Sequence, residues 1–363
     1  MPLIWAAISA HGFGHAAQVV PVLNAVGRRI PGVRAVLRTT VPASFFSDRL
    51  TIPFDIQGEE QDVGCIQHGP LSIDVPATWR AYHQFHLTWE QRLQAEVAAI
   101  RDAHPDLILA DTSYLAIEAG ATAGIPTVAL MNFTWDLVLS AFPTPPDIPH
   151  EALLQTIRQA YAHADLALRI TPAPVVSNFH RLFDIGPIAE PASPARERLA
   201  ACLRLAPGER TVLIGFGGVP LTSLPFEFLR TLSGYRFLVD VPVPPDAHRF
   251  VSIHSLPLSF KELLASVDLI VTKPGYGTVI EAVALQIPVV YVRRLNFADE
   301  QPLVEFLHRH GRGVELAQHD FAAGRWLAAL EAAAALPPPP VPAPRMNGAA
   351  DAAEWLLPFF KQA

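Results

Sequence analysis

Short, continuous apolar runs alternate with segments of helical periodicity along most of the chain, and this alternation restricts the fold more than any other feature of the sequence. In the first half the apolar runs are Leu3–Ile8, Val33–Leu37, Leu107–Ala110 and Thr127–Met131, and the helical segments are His15–Arg29 (with Pro21 as a bend), Thr78–Ala103 and Tyr114–Ala123. In the second half the runs are Thr211–Ile214, Phe237–Val239, Asp268–Val271 and Pro288–Val292, and the helical segments are Phe260–Ala265 and Thr278–Leu285. Buried strands of this length, separated by helices, predict an α/β fold in which parallel sheets carry helices on both faces.

The chain is long enough for two such sheets, each in its own domain. It has 363 residues, and about 150 residues per domain is usual. Gly186, Pro187, Pro191 and Pro194 crowd together between the two sets of apolar runs, so we expect the domains to join there. The predicted division is residues 1–187, 188–336 and 337–363.

The last of these segments contains a proline-rich stretch and an apolar terminus. Residues 337–344 include six prolines, which favours an extended polyproline conformation. Gly348–Lys361 then has the composition of a helix, with Trp355, Leu356 and Phe360 in need of a packing surface. We expect this helix to cross back and cover the first domain; the alternative is a flexible tail.

Composition excludes several classes of protein. The net charge of −7 disfavours broad electrostatic capture of nucleic acid, because a negative surface repels phosphates. Cys65 and Cys202 are the only cysteines, which excludes a disulfide scaffold and a cysteine-rich metal site. No apolar run reaches the roughly 18 residues of a membrane span, and no basic region precedes the apolar N-terminus, so the expected protein is soluble and cytoplasmic. Its oligomeric state does not follow from these features.

The segment from Thr272 to Ala282 carries the strongest functional signal. A buried strand leads through Lys273, Gly275 and Gly277 into a helix that contains Thr278 and Glu281. Glycines allow a phosphate to approach the backbone closely, and a helix N-terminus offers unpaired N–H groups. Lys273 can neutralise phosphate charge, and Glu281 can accept hydrogen bonds from sugar hydroxyls. The competing interpretation is structural, because Thr278 and Glu281 have the spacing of a capping box.

In each half of the chain, a glycine-containing loop follows the first strand. The first loop holds His11, Gly14 and His15, and histidine is the side chain best suited to proton transfer near neutral pH. The second holds Gly217 and Gly218, a turn that can face a diphosphate. Ligands of doubly wound sheets bind at the carboxyl ends of the strands, where both loops are predicted. A chance surface pair of histidines and a tight structural turn are the alternatives.

Polar residues also follow three other predicted strands. Asp111 ends the strand at Leu107–Ala110, and it can serve the site or merely cap the next helix. Asn132 and Asp136 follow the strand at Thr127–Met131, where aromatic and polar groups suit contact with a sugar or nucleotide, although Asp136 can also cap a helix. Asp299, Glu300 and Gln301 follow the strand at Pro288–Val292, as a helix start or a hydroxyl-binding cluster.

Taken together, these segments resemble the GT-B superfamily of nucleotide-sugar glycosyltransferases. The best local match is to the glycosyltransferase-like region of plant L-arabinokinases, through His11–Ala16, Asn132–Asp136 and Gly275–Thr278. The resemblance implies two facing Rossmann-like domains with a C-terminal crossover helix and the active site between them. The kinase half of those proteins has no counterpart here, so no kinase activity is expected.

The resemblance also implies a role for individual residues. His15 matches the acceptor-activating base, and Asp111 matches the aspartate that orients it. Glu281 matches the glutamate on the donor ribose, while Glu300 and Gln301 match the pair on the donor sugar. Two departures are His11, which replaces a small or polar residue, and the segment around His254, which stands in place of a tryptophan–proline–glutamine segment on the donor side.

The expected activity is therefore an inverting, metal-independent transfer of a sugar from a nucleotide donor, with UDP the expected nucleotide. The acceptor hydroxyl belongs to a small molecule, a lipid or a glycan. No cofactor beyond the donor is expected, and the chain has no Asp-x-Asp pair of the kind that metal-dependent transferases use. Two alternatives stay open: a nucleotide-sugar epimerase of the same fold, and a non-catalytic module that binds a nucleotide sugar.

Overall fold

The computed structural model describes residues 1–218, 221, 224–294 and 297–360, and within them the chain forms two parallel sheets. The first has seven strands in the order β3-β2-β1-β4-β5-β6-β7, and the second has six in the order β10-β9-β8-β11-β12-β13. In both sheets the chain starts near the middle, winds to one edge and then crosses to the other, which is the doubly wound topology. The α/β fold and the two-sheet division predicted from the apolar runs are confirmed.

The first sheet is built from the N-terminal half. Its strands are β1 (Leu3–Ile8), β2 (Arg34–Arg38), β3 (Phe54–Gln57), β4 (Leu107–Asp111), β5 (Thr127–Met131), β6 (Leu166–Ile170) and β7 (Leu182–Ile185). Its helices are α1 (Gly14–Gly27), α2 (Ala43–Ser47), α3 (Val75–Leu87), α4 (Trp89–Ala103), α5 (Tyr114–Ala123), α6 (Trp135–Ser140) and α7 (His150–Ala162).

The second sheet follows a connecting segment, and the predicted division at 187/188 lies in that segment. Its strands are β8 (Arg210–Ile214), β9 (Tyr235–Val239), β10 (Phe250–Ser252), β11 (Leu269–Thr272), β12 (Val289–Tyr291) and β13 (Gly313–Glu315). Its helices are α8 (Arg196–Leu203), α9 (Phe226–Leu229), α10 (Phe260–Ser266), α11 (Tyr276–Leu285), α12 (Glu300–His310), α13 (Gln318–Ala322) and α14 (Leu327–Ala335).

The long helix predicted over Thr78–Ala103 is wrong as a single element. The structure has two helices there, because Thr88 leaves the helical conformation (φ −111°, ψ 19°). The Thr88 hydroxyl donates to the Phe85 carbonyl and accepts from Arg92 Nε. A threonine that bonds the local backbone in this way competes with the helical hydrogen-bond ladder.

The C-terminal helix, α15 (Gly348–Leu356), packs against α1 and β7 of the first domain. Trp355 stacks on Phe183 with ring centroids 4.3 Å apart, and Asp351 accepts a hydrogen bond from the Gly186 backbone at 3.1 Å. The predicted crossover helix is therefore present, although it is shorter than Gly348–Lys361. It is followed by a single 3₁₀ turn at Leu357–Phe359.

Apolar side chains from both faces of each sheet form the cores, as the continuous apolar strands predicted. One core cluster extends from the first domain through α15 into the second domain, so the domains pack against each other near the helix α1. Among the described residues, no helix is both long and apolar enough to cross a membrane.

Candidate active site

His15 and Asp111 form a buried pair at the carboxyl edge of the first sheet. Asp111 is the last residue of β4, and His15 is in the first turn of α1, directly after the loop that leaves the neighbouring strand β1. The His15 Nδ1 atom lies 3.1 Å from Asp111 Oδ1 and 3.0 Å from Oδ2. Both side chains are almost fully buried. The two residues are far apart in sequence, and the parallel pairing of β1 with β4 brings them together.

The alternative role for Asp111, that of a helix cap, is wrong. Helix α5 is capped by Ser113, whose hydroxyl accepts from the Ala116 N–H. The Asp111 carboxylate instead faces His15 and accepts from the Ser9 N–H at 3.3 Å. The next residue, Thr112, has φ +51°, an uncommon conformation for a residue with a branched side chain. Strain of this kind next to a buried ion pair is typical of functional sites.

Nearby carboxylates set the protonation of His15. Burial alone lowers the pKa of His15, but the charge and hydrogen bond of Asp111, aided by the charges of Asp62 and Asp299, raise the pKa above its usual value. Because Nδ1–H donates to Asp111, the neutral ring has its free lone pair on Nε2. This is the tautomer in which a histidine accepts a proton from a substrate.

His11 has a different environment, although it lies in the same loop. Its Nδ1 accepts from the Cys65 N–H at 3.1 Å, and burial, helped by the charges of His15, Arg294 and Lys273, lowers its pKa to about 3. The ring also packs on Gly64, where a Cβ atom would lie 2.5 Å from His11 Nδ1. His11 is therefore neutral, and its Nδ1 lone pair is already used. The interpretation of the loop as a chance surface pair is wrong.

Asp62 is a site residue that the sequence analysis missed. Its Oδ1 accepts from the Ser9 hydroxyl at 2.9 Å and its Oδ2 from Trp135 Nε1 at 2.8 Å. Burial raises the pKa of Asp62 to about 6, and His15 and Asp111 are close enough for their charges to act on it. Asp62 lies in an irregular segment between β3 and α3, where no periodicity or glycine turn marks it out.

Replacing Asp62 with Asn is expected to reduce the dependence of stability on pH. A carboxyl whose folded pKa is raised stabilises the fold at low pH, and this contribution disappears as the pH rises through about 6. The upper bound is about 3 kcal/mol. The free energy of unfolding of Asp62→Asn relative to the parent should therefore improve between about pH 4 and pH 7, as measured by urea denaturation. Equal slopes in parent and variant would contradict a raised pKa.

Of the residues that follow β5, the aromatic ones lie beside the histidines of the first loop, whereas Asp136 has other partners. Phe133 lies edge-on to His15 with ring centroids 5.6 Å apart, and Trp135 lies 5.5 Å from His11. Asp136 instead accepts from Arg158 Nε at 3.3 Å and from Asn178 Nδ2 at 2.8 Å. The prediction that Asp136 contacts the acceptor is therefore not supported by its position. Asn132 is buried at the end of β5.

The turn after β11 leads into a helix whose first N–H groups no side chain caps. Helix α11 begins at Tyr276 with Gly275 as its N-cap residue. The capping-box interpretation of Thr278 and Glu281 is wrong, because Thr278 already lies inside the helix. A Cβ atom on Gly277 would meet nothing within 4 Å, so the space in front of the first turn is open. Uncapped N–H groups at a helix start favour a bound phosphate.

Lys273 stands beside this turn, in a partly buried position. Burial and the charge of Arg294 lower its pKa to about 7, against the opposing charges of Asp299 and Glu300. A diphosphate bound next to Lys273 would place negative charge near its amino group and would therefore favour the protonated form of Lys273.

The two glycine loops face each other across the domain boundary. Gly217 has φ +74°, which favours glycine, and a Cβ atom on Gly218 would lie 3.1 Å from Phe13 Cδ2. Phe13 belongs to the His11–His15 loop and directly precedes Gly14, the first residue of α1. The loops predicted for the two carboxyl edges therefore meet, and a side chain on Gly218 would crowd Phe13 at this contact.

Two predicted donor contacts have protein partners in the structure. The Glu281 carboxylate lies 3.1 Å from Lys261 Nζ, and burial raises the pKa of Glu281 while Lys261 opposes that effect. His254 is exposed, and its Nε2 lies 2.5 Å from Asp240 Oδ1. Glu281 remains beside the α11 turn, whereas the position of His254 gives no support for a donor contact.

The acidic cluster at the start of α12 is arranged differently from the prediction. Gln301 is exposed, with hydrogen bonds to Arg293 and Glu305, so its position gives no support for a contact to the donor sugar. Glu300 is buried against Arg294, at 2.7 Å from Nε, and burial raises its pKa to about 7. Asp299 is the member that approaches His15, and its Oδ1 is buried without a hydrogen-bond partner among the described residues.

Contacts between the domains close the cleft around these groups. Phe133 of the first domain and Phe297 of the second lie edge-to-face with centroids 5.9 Å apart, and the Arg294 guanidinium lies 3.9 Å over the Phe297 ring. The histidine–aspartate pair of the first domain and the uncapped start of α11 in the second domain therefore belong to elements on the two sides of one domain boundary, where α1 packs against α11. In the part of the chain that the structure describes, no group of three or more His, Cys, Asp and Glu side chains is placed to hold a metal ion.

Comparison with known proteins supports the fold assignment. No family model matches the chain. An L-arabinokinase of Arabidopsis thaliana is 27% identical over 339 residues, which are 91% of this chain. The chain spans about a third (32%) of the length of that curated relative, and the match confirms the resemblance inferred from the three short motifs.

Solved structures extend this likeness to the whole chain. Medicago truncatula UGT71G1, complexed with UDP-glucose, has a TM-score of 0.61 at 12% identity, covering 97% of this chain and 93% of its own. A UDP-glucosyltransferase of Polygonum tinctorium has 0.60 at 16%, covering 99% and 93%. The glycosyltransferase VinC, in complex with dTDP, has 0.56 at 17%, covering 98% and 94%. The chain therefore has the GT-B fold of nucleotide-sugar glycosyltransferases, with two facing doubly wound domains and a C-terminal crossover helix.

Proposed function

We propose that the chain is a glycosyltransferase that moves a sugar from a nucleotide donor, UDP-linked, to the hydroxyl group of an acceptor. The observation that carries this proposal is the buried pair of His15 and Asp111, together with the uncapped start of α11, a helix that packs against α1. One side of the cleft supplies a base, and the other supplies charge for an anionic leaving group. Medicago truncatula UGT71G1, complexed with UDP-glucose, and VinC, in complex with dTDP, share this fold and support a nucleotide sugar as the donor.

In the proposed reaction the neutral His15 ring accepts the proton of the acceptor hydroxyl at Nε2. The hydroxyl oxygen then bonds to the anomeric carbon of the donor sugar, while the bond from that carbon to the diphosphate oxygen breaks. The electron pair leaves with the nucleoside diphosphate. Attack from the face opposite the leaving group inverts the anomeric configuration. Asp111 holds Nδ1–H and stabilises the imidazolium that forms, which is the usual division of work in such pairs.

The second domain stabilises the charge that develops on the leaving diphosphate. The first-turn N–H groups of α11 and the Lys273 ammonium are the groups available for this, and preorganised donors of this kind account for much of enzymatic rate enhancement. Glu281 is proposed to accept hydrogen bonds from the donor ribose after its ion pair with Lys261 rearranges. Asp299, whose Oδ1 makes no hydrogen bond within the described part of the chain and lies 3.8 Å from the Arg294 guanidinium, replaces Gln301 as the proposed contact to the donor sugar.

Product analysis with the purified full chain tests the proposal. Nucleoside diphosphates and their sugars are first screened by thermal shift, where a ligand at 100 times its dissociation constant adds about 2.7 kcal/mol of stability. The bound sugars are then incubated with hydroxyl-bearing small molecules, lipids and glycans, and the anomeric configuration of the product is read by NMR. A product with retained configuration would overturn the inverting mechanism.

The same experiment separates the two alternatives from a transferase. An epimerase would convert the nucleotide sugar into another nucleotide sugar with no acceptor present. A binding module would give the thermal shift with no turnover across the acceptor panel. Free nucleoside diphosphate formed only when an acceptor is added would support transfer.

We further expect transfer to proceed without a divalent cation. The sequence has no Asp-x-Asp pair that could hold a divalent cation on the diphosphate. Lys273 and the positive end of the α11 helix dipole can neutralise the charge of the diphosphate instead. The initial rate in EDTA should equal the rate in buffer within about twofold. Activity that EDTA abolishes and magnesium or manganese restores would contradict it.

A further inference from the structure

Tyr276, the first residue of α11, joins the phosphate-facing turn to the connection between the domains. Its side chain is buried. Its hydroxyl donates to the Thr171 carbonyl oxygen at 2.7 Å and accepts from the Ile188 N–H at 3.3 Å. Thr171 directly follows β6 of the first sheet, and Ile188 lies in the segment that leads to the second domain. One hydroxyl group of the donor turn therefore binds one backbone group of the first domain and one of the segment that connects the domains.

The chain passes between the domains twice, and both passages meet near this hydroxyl. The first passage contains Ile188, and the second is the proline-rich segment that ends at α15. The Gly348 N–H donates to the Pro187 carbonyl at 3.0 Å, and a Cβ atom on Gly348 would lie only 1.9 Å from the Gly186 carbonyl oxygen. The two crossings are thus packed backbone to backbone, with Tyr276 bonded to one of them.

Tyr276 and the proposed base, His15, lie on two helices that are in contact. Helices α1 and α11 pack against each other across the domain boundary. His15 lies in the first turn of α1, and Tyr276 begins α11. The angle between the domains therefore sets the separation between the proposed base and the proposed diphosphate site.

We propose that the Tyr276 hydroxyl is a positioning group that holds the domains at the angle required for transfer. This inference rests on the proposed function for its effect on turnover, but its effect on domain geometry is independent of any activity. The hydroxyl faces Thr171 and Ile188 and not the open space before α11, so it is not expected to bind the diphosphate. Its loss should alter alignment more than affinity.

The variant Tyr276→Phe removes the hydroxyl and keeps the ring. Misplacement of reacting groups by about 1 Å can cost roughly 100-fold in rate, so we expect kcat to fall by about 10- to 100-fold. The dissociation constant of UDP should change by less than about threefold, because the phosphate-facing groups remain. A split between kcat and UDP affinity distinguishes positioning from general loss of structure.

Domain geometry is measured by energy transfer between two labels. Cys202 on α8 is exposed, and Leu87→Cys, at a position 64% exposed, supplies the second site in the first domain. Cys65 is buried with its pKa raised to about 12, so it reacts slowly. Tyr276→Phe is expected to broaden the distribution of distances between the labels. An unchanged distribution together with an unchanged kcat would overturn the proposal.

Tyr161→Phe is the matched control. The Tyr161 hydroxyl also donates to a carbonyl (Thr112, 2.7 Å) and accepts from a backbone N–H (Trp135, 3.2 Å), but all three residues lie in the first domain. Both variants should lose similar stability, since each leaves two buried backbone groups unpaired. Only Tyr276→Phe should change the distance distribution. Equal changes in both variants would show a general loosening and overturn the proposal.

The parent protein provides a test that needs no variant, in case Tyr276→Phe does not fold. Amide hydrogen exchange of the segment around Ile188 should be slow, and UDP should slow it further by stabilising the α11 turn. Exchange at Ile188 that is fast, or that UDP leaves unchanged, would overturn the coupling. A parent that binds no nucleotide would refute the proposed function, while the label distances would still decide the role of Tyr276.

Discussion

Replacing His15 with Ala is expected to reduce kcat by about 10²- to 10⁴-fold, the usual contribution of a general base. The reason is that His11, the neighbouring histidine of the same loop, cannot take over, because its Nδ1 lone pair already accepts from the Cys65 N–H. The dissociation constant of UDP should stay nearly unchanged, because the proposed phosphate site lies on the other domain. Steady-state kinetics and calorimetric UDP binding on the same preparation give both quantities.

His11→Asn is the control for this experiment, since an amide oxygen can replace Nδ1 as the acceptor for the Cys65 N–H. It should cost less than about tenfold in kcat, within the net value of a typical hydrogen bond. An inactive His11 variant beside an active His15 variant would show that the base is assigned wrongly. If both variants keep full activity, Asp62 becomes the next candidate base. Asp136, the other carboxylate after β5, is not a candidate, because its oxygens already accept hydrogen bonds from Arg158 and Asn178.

The pH dependence of kcat/KM is an independent test of the roles of His15 and Asp111. The base must be neutral, so kcat/KM should fall as the pH decreases through the raised pKa of His15. Asp111→Asn removes the charge that raises this pKa, so the acidic limb should move to lower pH while the maximal rate drops. An acidic limb at the same pH in both proteins would contradict a role for Asp111 in tuning His15.

Lys273→Met is expected to weaken UDP binding by about 10- to 150-fold, which corresponds to a charged hydrogen bond of roughly 1.5–3 kcal/mol. The partly buried ammonium stands beside the uncapped start of α11, where the diphosphate is proposed to bind. Lys273→Arg is the matched control, because arginine keeps its charge at every accessible pH. Isothermal titration calorimetry near pH 7 measures all three dissociation constants.

The pH dependence of UDP binding distinguishes the parent from Lys273→Arg. Burial and Arg294 hold the pKa of Lys273 at about 7 in the free protein, and a bound diphosphate raises that pKa. Binding above pH 7 should therefore take up a proton, and UDP affinity should fall by up to about tenfold per pH unit. This dependence should be absent from Lys273→Arg, whereas the titration of UDP itself affects both proteins equally. A parent without proton uptake would contradict contact between Lys273 and the phosphate.

Features that depend on local periodicity could be predicted from the sequence. The strand Thr127–Met131 and the helix Tyr114–Ala123 have the bounds expected from their apolar patterns. The edge on which His15 and Asp111 lie also follows from the pattern, because the carboxyl ends of parallel strands share one edge of the sheet. Placing a residue at the end of a predicted strand therefore placed it near the cleft.

The direction in which each loop side chain points could not be predicted in this way. Gln301 and Glu300 are neighbours, yet Gln301 pairs with exposed partners while Glu300 is buried against Arg294. His254 likewise lies on the surface. Their partners are chosen by packing, and a one-residue step along a helix turns a side chain by about 100°.

The two doubly wound domains and the strand-end positions of His15, Asp111 and Lys273 could be predicted from the sequence, because alternation and glycine turns are local signals that parallel sheets convert into position. The place of Asp62 beside His15 and Asp111, and the hydrogen bonds of Tyr276 to the domain connection, depend instead on how the whole chain packs. Asp62 lies in an irregular segment and reaches Ser9 and Trp135 from 53 and 73 residues away, while Tyr276 reaches Thr171 across 105 residues. Such contacts have no local period, since they form only where the packing of separate elements brings distant groups within hydrogen-bond distance.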